Sequence, residues 1–444
     1  MRVSFLSILL ISLFIPFLTH ASFVPKFQDQ NIHINDLVKL SETGQLLLLH
    51  PEKKVSLPIG NEKINDFDVR FLTSICVIEA PVHRVREVVM DFSHYHEFMP
   101  QTSSSTILSK SKNHVINEIK LSVKVPLIHI GVKFTLDYFM EPDGDISWFR
   151  VKGDMKGNVG RYEFISLGPN RTMLIMTYWT ELRGIGFLMR LLLRAQPDLE
   201  MAIPVSTGSL ILDAIKKRCE LTAQDVPPDI NTISKLPKDP IIPVLTQSNI
   251  PVDTIQLLSR IGTLVFVHPV QWIRTENNEP VAVKFVTAAG RMQGPLEAVK
   301  PLVSDFSRYS EFMYQVKYAK RELTYDGMMV NWRLKLGFAI FKFYLDFVLD
   351  YEWKSNTILL YHCKEGDLEY NYGSWEWFRL SDNQTMTFFT TAIPIGKRAP
   401  MILKFTKMIP NSQVVMGASS TVVAIEKMTP WVEDQVLEAT NLYQ

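Results

Sequence analysis

Apolar and polar residues alternate along several segments in both halves of the chain. Residues 120–124 and 133–138 show this alternation in the first half, and residues 331–338 and 345–351 show it in the second. A period of two residues is typical of antiparallel strands that bury one face and expose the other. The pattern therefore predicts a meander of half-buried strands in each half of the chain.

Helical patterns flank each meander. Pro81 and Pro295 precede short stretches with apolar residues on one helical face, and proline is favoured at a helix start because its missing N–H costs nothing there. Each half closes on a long helical stretch, residues 187–219 and 401–427, which prolines interrupt. The order of helix, antiparallel meander and long final helix predicts an α+β fold.

The two halves are copies of one another. Residues 91–99 match residues 305–313 at an offset of 214 (305 − 91), and residues 136–138 match 349–351 at an offset of 213 (349 − 136). Further upstream, Gly44 and its strand match Gly262 and its strand at 218 (262 − 44). Matches in one register over such a distance predict two tandem domains, since solenoid repeats are far shorter.

We place the first domain at residues 36–220 and the second at residues 253–430. The segment between them, residues 221–252, carries six prolines. Because proline lacks a backbone donor and fixes its own φ, this density argues against an α-helix and favours an extended, semi-rigid tether.

The order of elements and the repeated sequence Asp-Phe-Ser-x-Tyr-x-Glu-Phe-Met, at Asp91 and Asp305, resemble the START-like superfamily. That resemblance implies two tandem helix-grip domains, each a curved antiparallel sheet wrapped around a long C-terminal helix, with a cavity between sheet and helix. One departure is visible: START domains commonly carry a tryptophan after the Asp-x-x-x-Tyr run that opens this motif, where this chain has Phe98 and Phe312.

The N-terminus has the pattern of a secretory signal peptide. Arg2 precedes an almost uninterrupted apolar run, and small residues lie before a predicted cut after Ala21. We therefore expect residues 1–21 to be removed and the protein to be exported, to the periplasm of a Gram-negative bacterium or otherwise by secretion. An uncleaved anchor is the alternative. Asn170 and Asn383 begin glycosylation sequons on predicted turns, which matter only in a eukaryotic secretory pathway.

Composition narrows the classes of function. The net charge is +1 and 46% of the residues are hydrophobic, which argues against a nucleic-acid partner and against a disordered chain. Three cysteines are too few for a disulfide-rich scaffold or a four-cysteine zinc site. We expect three buried free thiols, with a Cys76–Cys219 bridge as the alternative. No phosphate loop, dinucleotide fingerprint or catalytic elbow is present, so we expect no cofactor.

Two groups of polar residues have the chemistry for a metal or catalytic site. Asp91, His94, His96 and Glu97 include metal-ligand types, but the second copy lacks both histidines, so a solvated helix surface is the preferred interpretation. Asp154 and Asp367 follow glycines in both copies and could act as acid or base. We interpret them as turn residues at strand ends, and we assign no metal ligand and no catalytic residue.

Aromatic and soft apolar residues at strand positions are the candidates for an apolar cavity. The candidates are Phe98, Leu121, Leu136, Tyr138, Tyr162, Phe164, Ile175, Phe312, Trp332, Leu349, Tyr351, Trp375, Trp377 and Phe388. A core filled by its own side chains is the alternative to a cavity.

Apolar segments with interleaved basic residues follow each meander, where the resemblance places the cavity mouth. Such a segment can rest in a bilayer interface, although it can equally begin the closing helix and cover the sheet. The candidates for transient membrane contact are Phe187, Leu188, Leu191, Ile395, Met401 and Ile402.

Together these patterns predict an exported protein that binds or transfers a lipid or other hydrophobic small molecule, with one apolar cavity per domain. The expected partners are the ligand and, transiently, a membrane surface. The first alternative is a cyclase or hydrolase acting on a hydrophobic substrate in the same cavity. The second is a structural module with filled cores.

Overall fold

The computed structural model of the chain describes residues 24–59, 63–125, 128–221, 228–248, 250–323, 327–338, 341–404 and 412–442. The predicted signal peptide, residues 1–21, lies outside these ranges. Within them the two halves of the chain fold alike, with the same order of helices and strands.

The first repeat opens with a helix and a strand, continues through a hairpin and a meander, and closes on two helices. Its elements are α1 (Ile34–Thr43), β1 (Gln45–Leu49), β2 (Lys53–Ile59), β3 (Lys63–Val69), β4 (Leu72–Ile78), α2 (Val82–Val89), α3 (Tyr95–Phe98), β5 (Thr102–Lys110), β6 (His114–Val125), β7 (Ile128–Met140), β8 (Ile146–Gly153), β9 (Asn158–Gly168), β10 (Arg171–Thr180), α4 (Gly186–Ala195) and α5 (Leu199–Glu220).

The second repeat follows the same plan, with a short 3-10 helix, Phe306–Glu311, in place of α3. Its elements are α6 (Val252–Ile261), β11 (Thr263–Val267), β12 (Gln271–Arg274), β13 (Pro280–Val283), β14 (Val286–Gln293), α7 (Leu296–Ser304), β15 (Val316–Leu323), β16 (Met328–Phe338), β17 (Phe341–Ser355), β18 (Ile358–Gly366), β19 (Tyr372–Ser381), β20 (Gln384–Ala392), α8 (Met401–Lys404) and α9 (Ser412–Leu442). The α+β helix-grip fold predicted for both copies is confirmed.

The sheets of the two repeats are joined into one. Sixteen strands form a continuous antiparallel sheet in the order β15-β16-β17-β18-β19-β20-β14-β11-β1-β4-β10-β9-β8-β7-β6-β5. The hairpins β2–β3 and β12–β13 form two separate small sheets, which the alternation pattern did not predict. The repeats therefore share a backbone hydrogen-bond ladder as well as a covalent connection.

The shared ladder lies between β1 and β11. Gln45 is opposite Val267, Leu49 is opposite Thr263, and Leu47 and Val265 form the central pair. Leu47 and Val265 are also equivalent in the repeat, since both lie three residues after the matched Gly44 and Gly262. The pairing thus places each strand against the equivalent strand of the other repeat.

The central strands are buried on both faces. In β1, Leu47 and Leu49 belong to the core beneath the long helices, while Leu46 and Leu48 belong to a second core beneath α1 and α6. All four side chains are at most 1% exposed. A continuous apolar run rather than an alternating one is expected for a strand that is covered on both sides.

The long helices α5 and α9 lie on the inner face of the sheet and pack against each other. A salt bridge strengthens the contact between the repeats: Nη1 of Arg70 lies 2.5 Å from Oε2 of Glu426 on α9. The hydroxyl of Thr263 donates a hydrogen bond to the other oxygen of the same carboxylate. Pro204 and Pro430 lie inside α5 and α9.

The described part of the proline-rich segment contacts the second repeat. Its described residues contain two 3-10 helices, Ile230–Lys235 and Leu245–Gln247. The N–H groups of Leu245 and Thr246 donate to the buried carboxylate of Glu376, at 3.2 and 2.8 Å. Prolines restrict this segment, but a buried acceptor gives it a fixed place on β19.

The first repeat binds its own leading segment in the same way. The N–H groups of Phe27 and Gln28 donate to the carboxylate of Glu163 on β9, at 2.8 and 3.1 Å. Burial raises the pKa of both glutamates, Glu163 and Glu376. The repeat therefore extends upstream of residues 36 and 253, into the segments that precede the predicted domain starts.

Candidate functional site

A cavity of about 640 Å³ lies between the inner face of the sheet and the long helices. Strands β6 to β10 and helices α4 and α5 supply its wall in the first repeat, and β16 to β20 and α9 supply it in the second. One continuous cavity is therefore lined by both repeats, where one cavity per domain was expected.

Eight of the fourteen candidate residues line this cavity. They are Leu121, Leu136, Tyr138 and Tyr162 from the first repeat and Trp332, Leu349, Tyr351 and Trp375 from the second. Each lies on an inward-facing strand position, as the alternation of the outer strands predicts. The wall that they form is aromatic and aliphatic.

Phe98 and Phe312 lie outside the cavity wall. The guanidinium of Arg218 on α5 lies 5.3 Å from the centre of the Phe98 ring. In the second repeat the Phe312 ring is 4.7 Å from the ring of Trp431 on α9. Both phenylalanines therefore attach the segment after α2 or α7 to the final helix.

Phe164 and Trp377 occupy the inward face of β9 and β19 but lie beyond the cavity. Phe164 lies 5.1 Å beneath the guanidinium of Arg86 on α2. Trp377 is 1% exposed and its ring centre lies 5.8 Å from that of Trp353. At this end of the sheet the shorter helices α2 and α7 fill the space that the cavity occupies further along.

The prediction that Ile175 and Phe388 line the cavity is wrong. Both lie in the second core, beneath α1 and α6, on the opposite face of the sheet. Because β10 and β20 are covered on both sides, apolar residues occur on both faces and alternation cannot identify the cavity side. Met176 and Phe389, next along each strand, line the cavity instead.

Several lining residues were not among the candidates. Tyr95 and Tyr309, from the repeated motif, line the cavity, and their hydroxyls donate to the backbone oxygens of Val89 and Val303. Phe306 lines it too and stacks at 4.5 Å on Tyr351. The recurrence of the motif was the signal, since it supplies aromatic side chains that reach the sheet from the adjoining helical turns.

Two matched glycines make room for aromatic side chains in the wall. Gly160 is opposite Trp148, and a Cβ at Gly160 would come within 2.0 Å of that indole ring. Gly373 is opposite Tyr361, and a Cβ there would come within 2.4 Å of the tyrosine oxygen. A neighbouring ring therefore approaches both glycines closely, and at Gly373 the backbone oxygen of Thr390 would also lie 2.0 Å from an added Cβ.

Polar atoms in the wall are largely paired with one another. The indole N–H of Trp148 donates to Oδ1 of Asn158 at 2.8 Å. In the second repeat the hydroxyl of Tyr361 donates to Thr391 at 2.7 Å, and Thr391 in turn donates to the equivalent Asn371 at 3.1 Å. Burial raises the tyrosine pKa values above their ordinary range, which keeps these phenols neutral.

A small polar cluster lies where the two halves of the cavity meet. Asp198, just before α5, accepts a hydrogen bond from Nε2 of Gln315 of the second repeat. The ammonium of Lys427 on α9 lies 3.7 Å from the other Asp198 oxygen. Both Asp198 and Gln315 line the cavity. Asp198 is the one charged side chain among the described lining residues.

The polar candidates outside the cavity have structural partners. Asp154 and Asp367 accept hydrogen bonds from the backbone N–H groups of Lys133 and Asp346, at 2.7 and 2.8 Å, so both close a strand end. His94 lies 2.6 Å from Asp91 on the exposed surface. Within the described ranges, no three histidine, cysteine or acidic side chains come together as a metal site.

All three cysteines are free thiols. Burial raises the pKa of Cys76 and of Cys219 to about 12 and that of Cys363 to about 11. A thiol that stays protonated is a poor nucleophile. Because Cys76 and Cys219 are both free, the alternative of a bridge between them is not realised in this structure.

The candidates for membrane contact divide into exposed and covered residues. Phe187 is 67% exposed and Met401 is 73% exposed, whereas Leu191 is half-buried and Ile395 is buried. The side chains of Leu188 and Ile402 lie outside the described part. Inward-facing residues of α4, Met189 and Leu192, line the cavity. In the part of the chain that the structure describes, no helix has both the length and the apolar character needed to span a bilayer.

Comparison with known proteins supports the resemblance. Residues 78–202 match a family described as "Polyketide cyclase / dehydrase and lipid transport". The START-like resemblance is thereby confirmed for this part of the first repeat. The match runs from the end of β4 to the start of α5 in the first repeat, and therefore includes most of the wall that this repeat contributes to the cavity. No curated protein sequence matches the chain.

The solved structures that match the chain include two-domain proteins and shorter proteins. The di-domain ARO/CYC BexL from the BE-7585A biosynthetic pathway is 11% identical, with coverage of 82% of this chain and 98% of that chain and a TM-score of 0.26. A STAR-related lipid transfer protein from Xanthomonas axonopodis is 12% identical, with coverage of 38% and 98% and a TM-score of 0.27. A START superfamily protein from Mycobacterium smegmatis is 17% identical, with coverage of 34% and 99% and a TM-score of 0.28.

Proposed function

We propose that the protein binds and carries a lipid or another hydrophobic small molecule. The observation that carries the proposal is the cavity of about 640 Å³, whose wall is built from aromatic and aliphatic side chains. Its volume lies within the roughly 300–1,000 Å³ that is common for small-molecule sites. Burial of an apolar ligand there would contribute about 25 cal/mol to the binding free energy for each Å² of apolar surface removed from water.

A carrier is favoured over a cyclase or a hydrolase by the chemistry of the wall. No histidine, cysteine, lysine or arginine occurs among the described lining residues. The single carboxylate, Asp198, already interacts with Gln315 and Lys427. General acid–base catalysis needs a positioned group that exchanges a proton near neutral pH, and burial keeps the tyrosines neutral by raising the pKa of each phenol.

The first test compares alanine substitutions of two tryptophans in strand β19. Trp375 lines the cavity, while Trp377, two residues further along β19, is buried outside it. Replacing either residue with alanine should reduce stability by about 3–5 kcal/mol, because each removes a large buried side chain. Only Trp375→Ala should lower the amount of hydrophobic ligand that copurifies with the protein, measured by solvent extraction and mass spectrometry.

Two outcomes would contradict the proposal. The wild-type protein, purified from its native host, could yield no stoichiometric hydrophobic compound. Alternatively, Trp375→Ala and Trp377→Ala could reduce ligand retention equally, in which case the loss would reflect stability and not the cavity wall.

We further propose that the protein acts after export and exchanges its ligand at a membrane surface. The apolar N-terminal run supports export. Phe187 supports membrane contact, since it projects from α4 while other residues of the same helix line the cavity. An exposed aromatic residue beside a cavity wall can insert at the bilayer interface while the ligand passes.

Replacing Phe187 with serine should slow transfer of a fluorescent fatty acid from the protein to phosphatidylcholine vesicles about threefold or more, because less apolar area enters the interface. Leu323→Ser is the matched control, because Leu323 is 74% exposed on the edge strand β15. Equal transfer rates for Phe187→Ser and Leu323→Ser would contradict the membrane role of α4.

A further inference from the structure

The walls contributed by the two repeats enclose one space. First-repeat residues on α4 and α5 reach the second repeat directly: α4 packs against β16, and a Cβ at Gly337 would lie 3.1 Å from the Ala195 oxygen. Gly337 itself lines the cavity. The two long helices also pack against each other. The two repeats therefore meet along the cavity wall, and their contact does not divide the cavity in two.

The volume favours one occupant over two. If about 640 Å³ were divided into two sites, each would lie near the lower end of the roughly 300–1,000 Å³ that is usual for small-molecule pockets. Taken together, the space suits one molecule with an apolar arm in each half. The inner parts of both halves are aromatic, with Tyr138 and Tyr162 in one and Tyr351 and Trp375 in the other.

The junction between the halves carries a charged side chain and an unpaired acceptor in the wall. Gln315 donates its amide N–H to Asp198, and Lys427 neutralises that carboxylate from the other side at 3.7 Å. The amide oxygen of Gln315 is buried and has no hydrogen-bond partner among the described residues. An unpaired buried acceptor is costly, and a hydrogen-bond donor on a ligand would remove that cost.

We propose that the two repeats bind a single ligand molecule between them. The ligand is a neutral amphiphile whose hydroxyl or amide N–H donates to the Gln315 oxygen at the junction, and whose apolar arms extend into the two halves of the cavity. This inference rests on the proposed carrier function and specifies the site and the ligand class for it.

The test uses two synthetic probes that differ by one hydroxyl group. One is glycerol esterified with decanoate at both outer positions, which keeps a free central hydroxyl. The other is the same diester of trimethylene glycol, which lacks that hydroxyl. Native mass spectrometry of the delipidated protein should show one glyceride molecule bound per chain. Its affinity should exceed that of the other diester by about tenfold, as expected for one satisfied buried hydrogen bond.

Blocking either half tests whether the site is shared. Leu136 and Leu349 are equivalent residues that line opposite halves. Leu136→Trp and Leu349→Trp should each weaken glyceride binding about tenfold or more, because the single ligand needs both halves. Leu108→Trp, on the exposed outer strand β5, is the control and should bind as the wild type does. Circular dichroism and a cooperative unfolding transition are required of each variant, as evidence that it is folded.

The junction is tested with Gln315→Met, which keeps the side-chain length and removes the acceptor. This variant should bind both diesters equally. Two glycerides per wild-type chain, with one lost in each leucine variant, would overturn the shared site and leave the carrier function standing. Failure of the wild type to bind either diester, together with an empty solvent extract, would count against the carrier function itself.

Discussion

The two halves of the cavity are built on the same frame and filled differently. Both keep the tyrosine pair Tyr138 and Tyr351 and the asparagine pair Asn158 and Asn371 at equivalent positions. Elsewhere the second half has larger aromatic residues, namely Trp332 for Ile119, Trp375 for Tyr162 and Phe389 for Met176. Trp375 and Phe389 stack with their ring centres 4.0 Å apart.

The first half makes the opposite exchange in two places. Trp148 occupies the position of Tyr361, and Tyr178 occupies that of Thr391. The hydroxyl of Tyr178 donates to the backbone oxygen of Pro204, which ties β10 to the long helix α5 at 2.7 Å. The two halves therefore share a backbone frame, but their side chains place bulk at different positions, so the cavity has a different shape in each half.

Among changes that test the difference between the halves, the largest effect is expected when one half is given the residue of the other. Trp332→Ile removes a buried ring whose centre lies 5.7 Å from that of Phe306 and 5.5 Å from that of Tyr309. We expect it to lower the free energy of unfolding by about 3 kcal/mol, because the surrounding rings cannot fill the space, and to enlarge the second half. Urea unfolding followed by circular dichroism measures the first effect, and uptake of an environment-sensitive dye measures the second.

The reciprocal change, Ile119→Trp, should destabilise the protein by about 1–3 kcal/mol through overpacking and should reduce dye uptake. If both changes left dye uptake unaltered, the difference between the halves would not control the volume available to a ligand.

A smaller effect on stability is expected from the pH dependence of two equivalent histidines, His50 and His268. Nε2 of His50 and of His268 each lie 2.8 Å from a buried threonine hydroxyl, and Nδ1 of His268 also lies 2.8 Å from the backbone oxygen of Thr43 in the other repeat. Burial lowers the pKa of both imidazoles to about 4. The unfolded chain then binds more protons than the folded one between the ordinary histidine pKa of 6.5 and about 4, so stability is complete above this window and falls as the pH falls through it.

Each histidine should contribute roughly 1.4 kcal/mol of lost stability per pH unit within that window. The measurement is urea unfolding of the wild type, His50→Asn and His268→Asn from about pH 7 to about pH 5, which covers the upper part of the window. The contribution of each histidine is the pH-dependent difference in unfolding free energy between the wild type and the corresponding variant. Because carboxylates titrate in all three proteins, only a change in slope is informative. The same slope in wild type and variants would show that the imidazoles are not held neutral.

Much of the frame could be predicted from the sequence because it depends on local patterns. Alternation located the outer strands β6, β7, β16 and β17, and the proline positions located the starts of α2 and α7. These strands have one covered face, so hydrophobicity reports directly on side-chain direction. The pattern therefore placed Leu121 and Leu136 on the covered face of their strands, and in the structure that face lines the cavity.

The joined sheet and the facing of the central strands could not be predicted in this way. Ile175 and Phe388 were assigned to the wrong face because β10 and β20 are covered by helices on both sides. Glu163 and Glu376 alternate with inward-facing aromatic residues along β9 and β19, yet both are fully buried and accept hydrogen bonds from backbone N–H groups of the segments that cover them. A glutamate that is buried and accepts backbone hydrogen bonds alternates with apolar residues in the same way as a solvated glutamate, so the sequence does not tell them apart.

The pairing of β1 with β11 has a consequence for the origin of the molecule. Leu47 faces its own equivalent, Val265, at the centre of the ladder, so a local two-fold axis passes between them. The contact has the form of an isologous homodimer interface, in which the same patch of each subunit forms the interface. A gene duplication that fused the subunits of such a dimer would give this register directly, and would let the two interior walls diverge while the interface stayed symmetric.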